Sequence, residues 1–398
     1  MTRTPATKTP PLDGITVVSL EQAVAAPFAT RQLADLGARV IKIERPDGGD
    51  FARGYDEAVH GNASYFVWLN RGKESLTLDV KSEQGRQILT ELLDTADVLI
   101  QNLGPGAAGR LGLDPATLAV HHPRVIPCSV TGWGSTGPWA NRKAYDLLVQ
   151  CETGLLSVTG TTEHMAKVGI SVADIAAGMY AYSGILTALL RRATTGAVSA
   201  VEVSLFEALA EWMSNPVYYA HYSGRTPPRS GARHATIAPY GPFGTADGTI
   251  LLVVQNDREW RRLCAEVLGD PAIADDTRFA TNSARVAHRD ELDTLIATQL
   301  SALPTSQAKQ QLDDAGIANA GINDVADLAT HPVLEGRHRW HEVGIPGATM
   351  QALQPPVDLA GVAPVMGDVP ALGAHTDTIL AELGHGDRIA LLRAAHVV

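Results

Sequence analysis

The first third of the chain alternates between short apolar runs and segments with helical spacing, and this alternation restricts the fold more than any other feature. Segments 27–36 and 82–95 have the spacing of helices, and the first has Pro27 at its start and Gly37 just after its end. Strands and helices in this order form right-handed crossovers, so we predict an α/β fold with a mainly parallel sheet. The runs predicted as strands from their β-branched residues are 15–20, 39–44, 75–80, 97–102 and 124–130.

A long helix is predicted over residues 172–192, where apolar residues recur at three and four positions. Its first turns are rich in alanine and glycine, so another backbone or a ligand could approach closely there. A strand at 201–205 and a helix ending near Glu211 follow. The residues expected on the buried face of the long helix are Ile175, Met179, Tyr182, Leu186 and Leu189.

A second, smaller α+β unit is predicted after the proline- and glycine-containing loop 227–231, since 398 residues are enough for two domains. Within 240–255, Asp247-Gly248 lies between two strand-like runs and predicts a β-hairpin. Helical segments continue to about Leu312, and a final helix is predicted near 376–383.

Charge and composition exclude several functional classes. A net charge of −11 disfavours a nucleic-acid partner, which needs clustered cations. Cys128, Cys151 and Cys264 are widely spaced and indicate reduced thiols rather than disulfides or a zinc site. The polar start of the chain lacks the apolar segment of a signal peptide, and no apolar run reaches the roughly 18 residues of a membrane span. We therefore expect a cytoplasmic protein with no membrane partner and no bound metal.

Two patterns after predicted strands suggest ligand binding. Residues 132–137 match the GxGxxG pattern of dinucleotide-binding loops, but Pro138 and the residues after it have loop character where a helix is needed, so a chance match is favoured. Cations also follow several strands, and parallel sheets bind ligands at the carboxyl ends of their strands. The cations that could contact a phosphate there are Arg45, Arg71, Lys73 and Arg110.

Asp174 is the carboxylate best suited to chemistry, because it lies in the predicted first turn of the long alanine-rich helix. The helix dipole at this place favours the ionised form of a carboxylate, and small neighbours leave room for a substrate. The same position also suits an ordinary aspartate that stabilises a helix N-terminus. The residue pattern alone leaves both interpretations open.

Short motifs occur in a specific order along nearly the whole chain. They span residues 11–15, 37–46, 70–79, 101–106, 145–150, 173–174 and 372–377. No single motif is decisive, but their number and order are specific. In these motifs the chain resembles the class III coenzyme A transferases, the family typified by formyl-CoA and carnitine-CoA transferases.

The resemblance implies a Rossmann-like large domain built from both chain ends, a smaller α+β domain between them, and a dimer of interlocked subunits. The N-terminal part of the large domain is then expected at 1–226, the small domain at 227–330, and a linker with the returning C-terminal part at 331–398. Asp174 falls on the catalytic aspartate of the family. The residues at positions that line the coenzyme A site in similar enzymes are Val24, Ala25, Arg45, Leu78, Lys81, Asn102, Arg110 and Tyr145.

The activity implied by the resemblance is transfer of coenzyme A from an acyl-CoA to a carboxylic acid, through an aspartyl–acyl anhydride and an aspartyl-CoA thioester at Asp174. Coenzyme A and acyl-CoA are then substrates, and no permanently bound cofactor is expected. The formyl-CoA branch has a run of glycines in its small domain, which residues 233–240 lack. This segment resembles enzymes acting on succinate or mesaconate, so a succinyl-CoA or similar dicarboxylic donor is expected.

Two alternatives remain open. The α-methylacyl-CoA racemases of the same superfamily exchange a proton with a histidine and an aspartate. Tyr145 stands where that histidine would precede Asp146, and a phenol with an ordinary pKa of about 10 is a poor base near neutrality, which favours transfer over racemisation. An intramolecular CoA-transferring isomerase belongs with this first alternative. A non-catalytic CoA-binding protein with the same fold is the second.

Overall fold

A six-stranded sheet forms the centre of the larger of two compact units in this computed structural model, which describes residues 9–398. Its strands are β1 (Thr16–Leu20), β2 (Arg39–Glu44), β3 (Lys73–Thr77), β4 (Val98–Gln101), β5 (Ile126–Thr131) and β6 (Val201–Ser204). They lie in the order β3-β2-β1-β4-β5-β6, and each neighbouring pair is parallel. The predicted α/β fold with a parallel sheet is confirmed. Residues 1–8 of the polar start lie outside the described part.

Helices connect these strands and form much of the remaining chain. The helices are α1 (Ala25–Asp35), α2 (Ser64–Leu69), α3 (Glu83–Thr95), α4 (Ala107–Arg110), α5 (Pro115–His121), α6 (Asp146–Glu152), α7 (Leu155–Val158), α8 (Val172–Thr195), α9 (Leu205–Trp212), α10 (Ser214–Ser223), α11 (Asp257–Arg262), α12 (Asn282–Ala287), α13 (Arg289–Leu300), α14 (Thr305–Asp314), α15 (Val325–Ala329), α16 (Pro332–Gly336), α17 (Thr376–Glu382) and α18 (Ile389–Ala394). Between β2 and α2, Phe51–Gly54 forms a 3₁₀ turn.

Strand β3 begins and ends earlier than the predicted 75–80. The Leu78 N–H still donates to the Glu44 carbonyl of β2, but the Asp79 N–H donates to the Val397 carbonyl outside the sheet, and Leu78 and Val80 pack into the apolar cluster of the larger unit. Apolar residues therefore continue past the end of the strand, which a periodicity argument cannot detect. The other five strands of this sheet agree with the predicted runs to within two residues at each end.

Helix α8 buries a different face from the one predicted. Its fully buried positions are mostly small: Ala173, Ala176, Ala177, Gly178, Ala181, Ile185 and Ala188. Met179, expected in the core, is exposed. The reason is the close packing of α8 on α1, which small side chains permit and large ones prevent.

Gly178→Ala should destabilise the larger unit. A Cβ atom at Gly178 would lie 2.6 Å from the Ala25 carbonyl oxygen and 3.1 Å from two atoms of Phe28. Because the nearest of these atoms is backbone, the helices must move apart, at a cost of about 1–3 kcal/mol. Urea titration should show the loss, whereas the control Gly336→Ala, with no atom within 4 Å of its added Cβ, should leave the midpoint nearly unchanged. An unaltered midpoint for Gly178→Ala would contradict this packing.

The smaller unit comprises residues 154–167 and 215–334. It contains an antiparallel sheet in the order β7 (Tyr240–Gly244), β8 (Thr249–Val253) and β9 (Ala318–Gly321), with the expected hairpin between the first two. The predicted large domain, 1–226, included 154–167 and 215–226. Segment 154–167 belongs to the smaller unit because Gly231 and the side chain of Arg229 donate hydrogen bonds to its carbonyl groups.

A second hairpin, β10 (Trp340–Ile345) and β11 (Ala348–Leu353), lies in the part of the chain that returns to the larger unit. Helix α8 is long and apolar enough to cross a membrane by length and composition, which the sequence analysis did not anticipate. Core helices of globular proteins share these properties, and α8 packs against α1, α9, β5 and β6. Its composition is therefore weak support for a membrane span.

Candidate active site

The candidate site lies at the carboxyl ends of β1 and β4, where the strand order reverses. Open parallel sheets bind ligands at such a reversal, because the loops after the two central strands diverge and leave a crevice. Asn102, just after β4, joins the two loops. Its Oδ1 accepts a hydrogen bond from the Gln22 N–H at 2.9 Å, and its Nδ2 donates to the Gln22 carbonyl at 2.8 Å.

Four charged side chains next to this crevice are fully buried: Glu21, Lys42, Asp50 and Lys73. Lys73 Nζ lies 2.7 Å from Glu21 Oε1, and Lys42 Nζ lies 2.8 Å from Asp50 Oδ2 and 3.5 Å from Glu21 Oε1. Burial by itself would raise the pKa of Glu21, but the attraction of the two lysines outweighs it and lowers that pKa. The four groups therefore form a buried cluster of two carboxylates and two lysines, in which burial lowers the pKa of Lys73 to about 7 despite the attraction of Glu21.

Arg71 and Lys73 are not available to a phosphate, so their predicted role as ligand cations is wrong. Both are buried, and the Arg71 guanidinium makes two hydrogen bonds to Asp35, at 2.9 and 2.8 Å. Lys73 donates to Glu21 and also to the Pro27 carbonyl. The acceptors come from the end of β1 and from α1, which sequence spacing does not place beside β3.

Asp174 lies in the first turn of α8, as predicted, and is partly buried. Asp146, the first residue of α6, accepts hydrogen bonds from the Ala173 N–H at 2.7 Å and from the Asp174 N–H at 3.4 Å. The other oxygen of Asp146 accepts from Gln150 Nε2 at 2.6 Å. Asp146 therefore caps the N-terminus of α8 and brings a second carboxylate close to Asp174.

Burial and the neighbouring charge of Asp146 raise the pKa of Asp174 to about 7. The expectation that the helix dipole would favour the ionised form of Asp174 was wrong in its net effect, since desolvation and like-charge repulsion outweigh the dipole. At neutral pH, Asp174 is present in both forms, and its carboxylate is poorly solvated. A carboxylate in this state is more reactive towards an electrophile than an exposed one.

Aromatic side chains that the sequence analysis did not single out lie beside the start of α8. The Tyr65 hydroxyl is 3.3 Å from the hydroxyl of Ser171, the residue before α8. Tyr55 packs edge-on against Tyr65, with ring centroids 5.8 Å apart. Burial, with contributions from Asp50 and Asp174, raises the pKa of Tyr55 to about 12. These tyrosines are far from Asp174 in the chain and follow no local motif, so sequence reasoning had no signal for them.

The positions predicted to contact coenzyme A follow the carboxyl ends of the parallel strands, but several side chains are inaccessible. Val24, Ala25 and Leu78 are buried, and Leu78 packs within the apolar cluster of the larger unit. Their main-chain and side-chain atoms are buried together, so the three residues offer almost no surface to a ligand in this structure. The side chain of Asn102 bonds to Gln22, as described above.

The remaining predicted contacts are exposed. Lys81 follows β3, Arg110 ends α4, and Arg45 follows β2, where its guanidinium bonds to the Gly49 carbonyl at 3.1 and 3.3 Å. Tyr145, which precedes α6, is 66% exposed. The structure thus leaves three cations and one phenol accessible after the strands of the sheet.

The glycine motif at 132–137 forms a loop after β5 with no helix at its end, in agreement with a chance match. Glu202 of β6 fixes this loop by accepting hydrogen bonds from the main-chain N–H and the hydroxyl of Ser135. Among residues 9–398, no group of three or more His, Cys, Asp or Glu side chains is arranged to hold a metal ion.

Known proteins match this chain over nearly its whole length. A model of CoA-transferase family III matches residues 12–376. The chain is 36% identical to succinate–glutarate CoA-transferase from Agrobacterium fabrum, covering 96% of this chain and 98% of that protein. It is 36% identical to acetyl-CoA:oxalate CoA-transferase from Acetobacter aceti, covering 84% and 86%.

Solved structures agree with the sequence matches. The crystal structure of a CaiB/BaiF family protein from Brucella suis is 34% identical, with a TM-score of 0.83 over 94% of this chain and 100% of that one. The family resemblance deduced from the ordered motifs is therefore confirmed. The chain belongs to CoA-transferase family III and is an enzyme that transfers coenzyme A.

Proposed function

We propose that this enzyme moves coenzyme A from a dicarboxylic acyl-CoA, of the succinyl type, to a carboxylic acid, with Asp174 as the nucleophile. The observation that carries the proposal is the desolvated carboxyl of Asp174 at the start of α8, whose pKa is raised to about 7 by burial and Asp146. A helix-start aspartate that served only to stabilise the helix would be expected to have an ordinary or lowered pKa. Here Asp146 provides the cap, which leaves Asp174 free of that role.

The proposed reaction has four exchanges at Asp174. Its carboxylate attacks the thioester carbon of the donor, forming an aspartyl–acyl anhydride as the carbon–sulfur bond breaks and releases CoA thiolate. The thiolate then attacks the aspartyl carbonyl, giving an aspartyl-CoA thioester and the free donor acid. The acceptor carboxylate displaces the thiolate to form a second anhydride. Attack of the thiolate on the acceptor acyl carbon yields the new acyl-CoA and regenerates the carboxylate of Asp174.

The exposed residues after the strands are the proposed contacts of coenzyme A. Arg45, Lys81 and Arg110 supply positive charge for its phosphates, with Tyr145 nearer the reacting end because it immediately precedes Asp146. The order of the six parallel strands is that of doubly wound dinucleotide-binding sheets, which supports the proposal of a Rossmann-like large domain. An interlocked homodimer, a cytoplasmic location, and the lack of membrane and nucleic-acid partners stay predictions.

The donor class is proposed from two lines of support. Segment 233–240 lacks the glycine run of the formyl-CoA branch. The second line is a relative that matches nearly the whole chain and is named for succinate and glutarate. Another relative is named for acetyl-CoA and oxalate, so the two classes of acceptor must be compared directly.

A panel of donors and acceptors tests the proposal. Succinyl-, glutaryl-, acetyl- and formyl-CoA are each incubated with mono- and dicarboxylates, and the product esters are identified by mass spectrometry. We expect the fastest turnover with succinyl-CoA and a dicarboxylate such as glutarate. Turnover restricted to formyl-CoA and oxalate would overturn the donor class. In D₂O, labelling at the α-carbon of the acyl group without transfer would indicate racemisation instead.

A further inference from the structure

We infer that Asn102 is a positioning residue, which fixes the turn before α1, the helix that packs on α8, rather than binding coenzyme A. Both polar atoms of its amide bond to one residue, Gln22, accepting from its N–H and donating to its carbonyl. This two-point contact joins the loops after β1 and β4 at the reversal of the strand order. The inference rests on the proposed role of Asp174.

The turn that Asn102 holds is strained. Ala23 has φ = 60°, in the left-handed region that residues with a Cβ rarely adopt. The Ala23 N–H donates to Asp50 Oδ1 at 3.1 Å, and the same oxygen accepts from the Ala52 N–H at 2.9 Å. The other oxygen of Asp50 is paired with the buried Lys42. Such a conformation persists only where its surroundings hold it in place. Here Asn102 holds Gln22 and Asp50 holds Ala23, the next residue of the turn.

The turn is linked to the helix that carries Asp174 through the packing of α1 on α8. Helix α1 begins at Ala25, and the Ala25 carbonyl oxygen lies against Gly178, one helical turn after Asp174. The close approach of α1 and α8 at this point leaves little freedom between them. A shift of the turn 22–24 would move the start of α1 relative to the first turn of α8. Misplacement of about 1 Å at a reacting group can cost a factor of about 100 in rate.

A positioning role and a binding role predict different kinetics. If Asn102 orients the turn, its loss should lower the rate of acylation of Asp174 with little effect on the affinity for acyl-CoA. If Asn102 holds coenzyme A, its loss should raise KM, as expected for the exposed cation Arg110. Separate measurement of kcat and KM therefore distinguishes the two roles.

The experiment compares Asn102→Ala and the milder Asn102→Ser with Arg110→Ala and with Gln87→Ala, a control on the exposed face of α3 whose amide donates to Glu91. Rapid quench with hydroxylamine gives the rate at which succinyl-CoA acylates Asp174. We expect kcat and this acylation rate to fall about 10- to 100-fold in Asn102→Ala while KM changes less than about threefold. Arg110→Ala should mainly raise KM, and Gln87→Ala should match the wild type.

A second measurement tests the strain. Glycine adopts the left-handed region without a Cβ clash, so Ala23→Gly added to Asn102→Ala should restore part of the lost kcat. An unchanged kcat with a raised KM in both Asn102 variants, or no recovery with Ala23→Gly, would overturn the positioning role. Absence of a trapped adduct in the wild-type enzyme would instead refute the proposed nucleophile. The two failures are therefore distinguishable.

Discussion

Asp174→Asn is expected to lower kcat for coenzyme A transfer by a factor of about 10³ or more, because an amide oxygen cannot form the anhydride. The substitution keeps the size of the side chain and leaves the cap from Asp146 to α8 intact. Transfer is measured by following the product thioester, and the covalent step by trapping with hydroxylamine. A folded Asp174→Asn enzyme that retained the wild-type rate would rule out Asp174 as the nucleophile.

Stability as a function of pH provides the control for this variant. The folded pKa of Asp174, about 7, is above its ordinary value, so the folded state holds the proton more tightly than the unfolded state. This tighter binding of the proton stabilises the folded state at low pH, and the stabilisation is lost as pH rises from about 4 to about 7. Asparagine does not ionise, so Asp174→Asn does not lose stability in this pH range. It should be more stable than the wild type at pH 8, by about 1–3 kcal/mol after allowance for the partial exposure of the side chain.

The midpoint of thermal unfolding at pH 4.5 and pH 8 measures this effect. The difference between Asp174→Asn and the wild type should grow with pH. An equal difference at both pH values would mean that Asp174 has an ordinary pKa, and the reactive state assigned to it would lose its support. If Asp174→Asn is inactive yet more stable than the wild type, the charge of Asp174 lowers the stability of the folded enzyme.

Most strands of the larger sheet could be predicted from the sequence, because each is marked by a local run of residues. Runs of β-branched residues mark β1, β2, β4, β5 and β6 closely, and β2 was predicted with its observed limits, Arg39–Glu44. Both faces of a central parallel strand are buried, so each strand is a short continuous apolar run that stands out from its neighbours. The start of α8, and with it the position of Asp174 in the first turn, was predictable for a similar reason.

Packing between distant elements could not be predicted in this way. The apolar spacing in α8 indicated a face of large residues, whereas contact with α1 selects the face of alanines and Gly178. Likewise, Arg71 and Lys73 look like free cations after a strand until Asp35 and Glu21 are brought beside them by the fold. In each case the deciding partner lies far away in the chain, and no motif joins the two.

The chemistry of the site depends on such a long-range contact. Asp146 and Asp174 are separated by 28 positions; their proximity caps α8 and, together with the larger effect of burial, raises the pKa of Asp174. From the sequence alone, the dipole of the helix was the only electrostatic influence that could be named, and it acts in the opposite direction. The sequence could therefore suggest Asp174 as the reactive residue through the family resemblance, but it could not predict the protonation state of that residue.

Glu21→Gln is expected to destabilise the larger unit by about 3–5 kcal/mol, because Lys73, whose pKa burial already lowers, loses its charged partner and must either remain an unpaired buried charge or give up its proton. In the wild type, Glu21 Oε1 pairs with Lys73 at 2.7 Å and with Lys42 at 3.5 Å, while Oε2 accepts from the Thr30 hydroxyl at 2.7 Å. Glutamine keeps the shape but not the charge. Urea unfolding measures the loss, and Glu83→Gln, at an exposed ion pair with Arg86, serves as the matched control with no expected change.

The double variant Glu21→Gln/Lys73→Met separates charge balance from simple damage to the core. Removing one positive and one negative group leaves Lys42 paired with Asp50 at 2.8 Å, so the cluster is again balanced. We expect the double variant to be more stable than Glu21→Gln alone, since an unpaired buried charge costs more than a missing pair. The single variant Lys73→Met is measured alongside, and if the losses of the two single variants simply add in the double variant, the four groups do not act as a unit.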